Sequence, residues 1–292
     1  MSQEREGRLA VRKMYKLFIG GAFVRSESGR SDPLWDGRSF GANIARASRK
    51  DVRDAVTAAK AAQPRWWGMT AANRGLVLYR LAEMLESRRA EFVQRVADGT
   101  PCDADDAERE VDAAIDRTVW YAGWCDKYAA LLSTRNPVGG PYFNFSTAEP
   151  MGIVGLFFPD RPSLLGIVST LLPPLVAGNA IVAIASERDP RTAIVFAEAI
   201  ATSDVPAGAV NILTGLRSEL APVVLRHLDV QVVGLEDGML DPATLRGAAE
   251  NVKRVHVWPR RSRAAWFSPS AQRLDEIAAY SEIKTIWHPA GI

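Results

Sequence analysis

The sequence predicts an α/β protein: a doubly wound, Rossmann-like five-stranded parallel sheet, preceded by N-terminal helices and accompanied by a small β-arm. Three observations carry that expectation. From Met151 onward, the apolar runs MGIVGLFF, AIVAIA, AVNILTG, VQVVGL and RVHVW are separated by segments with helical periodicity. Most of these runs are near-continuous in Val, Ile and Leu, as strands covered on both faces are. The 292 residues are 47% hydrophobic and 24% charged, enough apolar mass for one large or two modest domains.

Taken in order, KLFIGGAFVRS (16–26) reads as a hairpin around Gly20-Gly21. Ser48-x-x-Asp51 forms a capping box ahead of DVRDAVTAAKAA, where Val52, Ala55, Val56 and Ala59 share one helical face. A second helix is expected over 73–94, with Leu78, Leu81, Ala82 and Leu85 on one side. A third, over 105–131, buries Val111, Ala114, Ile115 and Thr118, then Trp120, Tyr121 and Trp124. NPVGGPYFNFSTAEP brings turn residues and then Tyr142, Phe143, Asn144 and Phe145, an extended arm. The helices between the parallel strands are SLLGIVSTLLPPLVA, PRTAIVFAEAIATS, LRSELAPVVLRH and DPATLRGAAENV. A short helix is expected over 270–279. Then comes the strand EIKTIWH, in which Ile283, Thr285 and Trp287 alternate with Glu282, Lys284 and Ile286. The expected organisation is a nucleotide-binding-like domain from 1–135 and 150–265, and an oligomerisation arm and tail from 136–149 and 268–292.

A net charge of +2 implies no general attraction to nucleic acid. No apolar run reaches the roughly 18 residues of a membrane span. The leader MSQEREGRLAVRKMYK mixes bases with acids around no apolar signal core, so a cytoplasmic protein is expected. Two cysteines, Cys102 and Cys125, make neither a disulfide framework nor a metal site, and His227, His256 and His288 lack ligand spacing. No metal is expected. Neither G-x-G-x-x-G nor a P-loop is present; the strand-to-helix turns read FPDRPSL, ASERDPR, TGLRSEL and GLEDGML.

Seven stretches, in order, resemble one family: YKLFIGGAFV, YAGWCDKY, EPMGIVGLFFP, PPLVAGNAIVAIASE, VPAGAVNILTG, AAENVKRV and AYSEIKTIW. Together they resemble the aldehyde dehydrogenase superfamily, over 16–258 and again over 274–288. The resemblance implies a nucleotide-binding domain, a catalytic domain inserted late in the chain, and a small oligomerisation sheet. Gly140 to Ala148 and Glu282 to His288 are similar to the two pieces of that sheet. Between them, where the family places its catalytic domain, only 259–273 separate Trp258 from the tail.

The family's functional positions can be followed one by one. Its cysteine nucleophile falls in the missing domain, and neither Cys125 nor Cys102 replaces it, since thiol catalysis needs a lowered pKa and a base. Its oxyanion-stabilising asparagine aligns with Arg161 in Pro159-Asp160-Arg161-Pro162, whose plain reading is an Asp160–Arg161 surface turn. Its adenosine-ribose motif becomes Ile184-Ala185-Ser186-Glu187, leaving Glu187 as a vestigial cofactor-binding carboxylate. Its pyrophosphate turn becomes Gly234-Leu235-Glu236-Asp237-Gly238, where two carboxylates suit a helix N-terminus but repel a pyrophosphate. Its general-base glutamate aligns with Trp258, and an indole N–H takes no proton. His256 is the nearby titratable group; mid-strand, its plain reading is a buried or helix-facing neutral histidine. No cofactor is therefore expected, with NAD(P) as the alternative.

Three functions compete. The first is a non-catalytic subunit that assembles through Tyr142, Phe143, Phe145, Ile283, Thr285 and Trp287, with a full-length aldehyde dehydrogenase or with itself. It resembles the second module of two-module members of the superfamily. The second is an oxidoreductase with altered nucleotide binding, using Arg161, Glu187 and His256. The third is a binding module in which Lys253, Arg254, Arg260, Arg261 and Arg263, interleaved with Trp258 and Trp266, meet an acidic protein surface.

Overall fold

The computed structural model describes residues 11–36, 39–99 and 104–290. The chain opens with strands β1 (Met14–Tyr15), β2 (Leu17–Ile19), β3 (Ala22–Val24), β4 (Ser31–Asp36) and β5 (Ser39–Ala45). Helices α1 (Arg49–Trp67), α2 (Ala71–Ser87), α3 (Arg89–Gly99), α4 (Ala104–Ala122) and α5 (Tyr128–Leu132) follow, then strands β6 (Thr134–Asn136) and β7 (Tyr142–Pro150). The α/β alternation runs β8 (Ile153–Phe157), α6 (Ser163–Val176), β9 (Ala180–Ile184), α7 (Arg191–Ile200), β10 (Val210–Leu213), α8 (Arg217–Arg226), β11 (Val232–Glu236), α9 (Pro242–Leu245) and β12 (Arg254–Trp258). Two short helices, α10 (Arg263–Phe267) and α11 (Leu274–Ala278), lead into β13 (Ser281–Pro289).

The central sheet has the order β12-β11-β8-β9-β10-β2-β3. Its first five strands are parallel, as expected, and the Gly20-Gly21 hairpin extends them, β2 running antiparallel to β10. After β8 the chain winds outward through β9 and β10, then returns to the other side of β8 for β11 and β12. The switch point, the usual place for a ligand in such sheets, is therefore the crevice beyond the carboxyl ends of β8 and β11. The two core clusters hold the inward faces of α4, α6 and α7 and of α1 and α8.

β12 is an edge strand, not a doubly covered one: Arg254 and Val257 are exposed, and only Trp258 is fully buried. The expected helix over 73–94 is two helices, interrupted at Arg88, whose guanidinium reaches Glu91 and Glu198. That over 105–131 ends at Ala122, with the short α5 beyond it. The capping box forms as expected: Ser48 Oγ accepts from the Lys50 and Asp51 N–H groups, and Asp51 accepts from the Ser48 N–H at 2.7 Å.

Two further sheets flank this body. β1, β5 and β4 form one, absent from the sequence reading because Pro33 interrupts the β4 pattern; proline is tolerated there because β4 is an edge. The other has the order β13-β7-β6, with nine antiparallel pairs from Ser281↔Pro150 to Pro289↔Tyr142. Among the described residues, no helix is long and apolar enough to cross a membrane.

Candidate functional site

Side chains from the turns after β8 and β9 and from the start of α8 converge over the carboxyl ends of β8, β9 and β10. Arg217 Nη2 donates to the Phe158 carbonyl at 3.0 Å and to Asp160 Oδ1 at 2.7 Å, and the Ser186 hydroxyl donates to the same oxygen at 2.6 Å. Burial opposes ionisation of Asp160, yet the hydrogen bonds from Arg217 and Ser186 prevail and hold its carboxyl below the ordinary range. Asp160 therefore pairs with Arg217, and the expected Asp160–Arg161 turn pairing does not form. Glu236, at the end of β11, is pushed up by burial, against the pull of Arg260.

The four helices that follow β8, β9, β10 and β11 all start against a carboxylate of this chain. Glu110 accepts from the Leu164 N–H at 2.7 Å at the start of α6, and burial pushes its pKa up. Asp189 accepts from the Arg191 N–H at 3.0 Å, Glu187 from the Arg217 N–H, and Asp241 from the Thr244 N–H at 2.9 Å. Free N–H groups at a helix N-terminus are what a phosphate seeks. Here a carboxyl group of the chain already accepts from an N–H in the first turn of each helix, and so competes with a pyrophosphate for these donors.

At the end of β12, Trp258 is 3% exposed and lies against Gly234, where an added Cβ would meet Leu156 Cδ2 at 2.8 Å, Trp258 Cζ3 at 3.0 Å and the Tyr280 hydroxyl. Its indole nitrogen finds no partner among the described residues. Pro259 to Tyr280 then fold back over α4 and α6. Trp266 is buried, and the buried Arg117 of α4 holds this stretch: Nη2 donates to the Trp266 carbonyl at 2.8 Å and Nη1 to Ser169 Oγ at 2.6 Å. Burial lowers the Arg117 pKa. His256 Nε2 lies 3.2 Å from Glu276 Oε2, and Arg261 donates to the other carboxylate oxygen at 2.5 Å. Burial alone would raise the Glu276 pKa; His256 and Arg261 keep it low.

Residues 31–256 match the aldehyde dehydrogenase family. The chain belongs to this family. It is 31% identical over 249 residues to the Bacillus subtilis protein DhaS, covering 82% of this chain and 49% of that protein. It is 32% identical to the cytosolic 10-formyltetrahydrofolate dehydrogenase of Mus musculus, covering 78% of this chain and 26% of that one. Among solved structures, the NAD+ complex of an aldehyde dehydrogenase from Bacillus cereus superposes with a TM-score of 0.80 at 26% identity, over 85% of this chain and 51% of that chain. The chain spans about half the length of DhaS and of that solved aldehyde dehydrogenase.

Against the aldehyde dehydrogenase frame, the expected site residues do not meet. Arg161 is exposed on a cavity of about 550 Å³ with Asp36, Asp98 and Arg188. Glu187 lines a different one with Asp32, Ser186 and Leu216, while its carboxylate caps α8. His256 faces α11, as a helix-facing histidine should, and belongs to neither cavity. Cys125 is buried and its thiol is pushed up to about 12 by that burial, the reverse of an activated nucleophile. Cys102 lies outside the described residues.

Nor do the basic residues form one patch. Lys253 is buried and donates to the His227 carbonyl and Asn251, Arg254 bonds the Ser281 carbonyl, Arg261 sits over the Trp266 ring, and Arg263 reaches Asp106. Sequence reasoning missed Arg217 and Arg117. The first stands plainly in TGLRSEL, yet nothing local says that it folds back over Asp160.

The arm and tail residues divide between two faces. Ile283, Thr285 and Trp287 lie opposite Ala148, Ser146 and Asn144, with Tyr142 edge-on to Trp287 at 5.8 Å. Phe143 and Phe145, 5.4 Å apart, share the other face with Ile286. Tyr142, Phe143, Ile283 and Trp287 are all exposed, and β13 is an edge strand.

Proposed function

We propose that this chain is a non-catalytic aldehyde dehydrogenase subunit of the cytoplasm. On this reading it assembles through β7 and β13 with a full-length, active aldehyde dehydrogenase, as a structural or regulatory partner. The observation that carries the reading is Trp258: a buried indole stands where the sequence resemblance puts the family's general base, and the chain then reaches the tail strand within 22 residues, Pro259 to Tyr280. The carboxylates at four helix N-termini support the corollary that NAD(P) is not bound conventionally. An edge strand with exposed Ile283 and Trp287 is what pairing with another chain uses.

Titrating the purified chain with NAD+ and NADH tests the first part. In a chain carrying Arg49→Gln and Arg53→Gln, which lacks the two α1 guanidiniums without a carboxylate partner among the described residues, no calorimetric saturation and no rise in melting temperature are expected, since a ligand held by the folded state alone must stabilise it. Saturation at micromolar concentration would favour the second reading, an oxidoreductase with altered nucleotide binding. For assembly, the chain is co-expressed with a complete aldehyde dehydrogenase from its own genome. A stable complex is expected, lost on Ile283→Lys with Trp287→Lys. Separate elution of the two wild-type chains would end the partner reading.

A further inference from the structure

A further concave site lies between α1 and α8, and Asp160, Ser186 and Arg217 are not among its lining residues. It measures about 700 Å³, within the size range of small-molecule sites. Ala47, Pro222 and Val223 give it an apolar part, while Arg30, Arg49, Arg53, Arg226 and His227 surround it with nitrogen donors.

Glu219 is the one carboxylate among those lining residues, and it is already engaged. It accepts from Arg46 Nη2 at 2.6 Å and lies 3.7 Å from Arg30 Nη2. Arg226 is paired with Glu250 at 3.1 Å. Arg49 and Arg53 differ: neither guanidinium has a carboxylate partner among the described residues, and Arg53 Nε makes only a 3.5 Å contact with the Arg49 carbonyl. They stand one turn apart on α1, so both forks reach one ligand. His227 Nδ1 accepts the Asp229 N–H at 3.3 Å, which leaves Nε2–H as the donor of the neutral ring.

Two uncompensated guanidiniums suit an anion of charge two or more. Their planar forks match the oxygens of a phosphate. We infer that this groove binds a phosphate-bearing small molecule of about nucleotide size, its phosphates on Arg49 and Arg53 and its apolar part on Pro222 and Val223. The inference stands apart from the proposed loss of catalysis, because it concerns a different face of α8.

The test is calorimetric titration with inorganic pyrophosphate and with adenosine diphosphate at about 0.15 M salt, where exposed charges are screened beyond about 8 Å. Arg49→Gln, Arg53→Gln and Arg53→Lys are compared with Arg188→Gln, an exposed change at the sheet's carboxyl edge. One site per chain is expected, with adenosine diphosphate tighter than pyrophosphate. Binding falls at least about tenfold in either glutamine variant, the loss of a charge-assisted bond, and is unchanged by Arg188→Gln. Arg53→Lys retains part of it, which separates loss of a fork from loss of folding. No saturable binding overturns the inference, as does binding that ignores Arg49 and Arg53. Loss on Arg188→Gln instead would move the anion to the sheet edge, overturning this inference and the proposed absence of a nucleotide there together.

Discussion

The guanidinium of Arg217 and the carboxylate of Asp160 meet at 2.7 Å and tie the start of α8, beyond β10, to the turn after β8. Arg217 is largely buried and Asp160 about a third exposed, and Ser186 and the Phe158 carbonyl complete the set. The carboxyl ends of β8, β9 and β10 are thus tied together by polar side chains of the chain itself.

Asp160→Asn is therefore expected to lower stability at neutral pH by about 1–2 kcal/mol, discounted for solvent on the open side. The Asp160 pKa is depressed in the folded state, so its contribution is present above the unfolded value near 3.8 and fades as pH falls through the folded one. Urea unfolding from pH 7 to pH 3 checks this. A gap between wild type and variant that persists unchanged at the acid end would refute it.

Glu110 predicts the opposite sign. Its folded pKa is raised, so its titration favours folding below the unfolded value near 4.5 and costs stability as pH rises through the folded one. Glu110→Gln keeps an oxygen for the Leu164 N–H and should equal or exceed wild type at pH 7, with the advantage gone in acid. Glu110→Ala leaves that N–H and the Ser163 hydroxyl without their acceptor, at a cost of about 1–3 kcal/mol. Parallel thermal melts of the two variants decide the matter, and a destabilised glutamine variant at pH 7 would contradict it.

The stretch from Pro259 to Tyr280 should behave as core. Trp266→Ala is expected to cost about 3–5 kcal/mol, as removal of a fully buried aromatic does. If Trp266 were a loosely held surface residue the loss would stay below about 1 kcal/mol, a difference chemical denaturation resolves easily.

Gly234→Ala should also destabilise, by about 1–3 kcal/mol, since its new methyl meets the buried Tyr280, Leu156 and Trp258 side chains. The residual near-ultraviolet dichroism of the tryptophans is an independent readout. Unchanged stability would mean that Tyr280 yields freely.

The parallel sheet was legible because its strands are apolar runs of about five residues, and burial on both faces writes that pattern directly into sequence. Arg254 to Trp258 alternates because its strand lies at the sheet edge, a position that a strand's own residues suggest but do not fix. The β4–β5 ribbon was hidden by Pro33, and the break at Arg88 by an apolar face that continues through it. For the site, the sequence resemblance placed Trp258 and Arg161 at catalytic positions of the family. It did not place Arg217 on Asp160 or Arg117 on the Trp266 carbonyl, because each joins residues 50 or more apart. Long-range polar pairs of this kind leave no periodic trace.

The side chains of Trp258 and Tyr280 would both meet a Cβ added at Gly234, so the stretch between them is pinned to the central sheet at both of its ends. A segment whose two ends meet can be lengthened without moving what surrounds it. The junction is thus a clamp at both ends of the connection from β12 to β13, and what lies between those ends is held apart from the order of the sheet. Grafting a foreign domain between Trp258 and Tyr280 should leave the sheet order of the host intact.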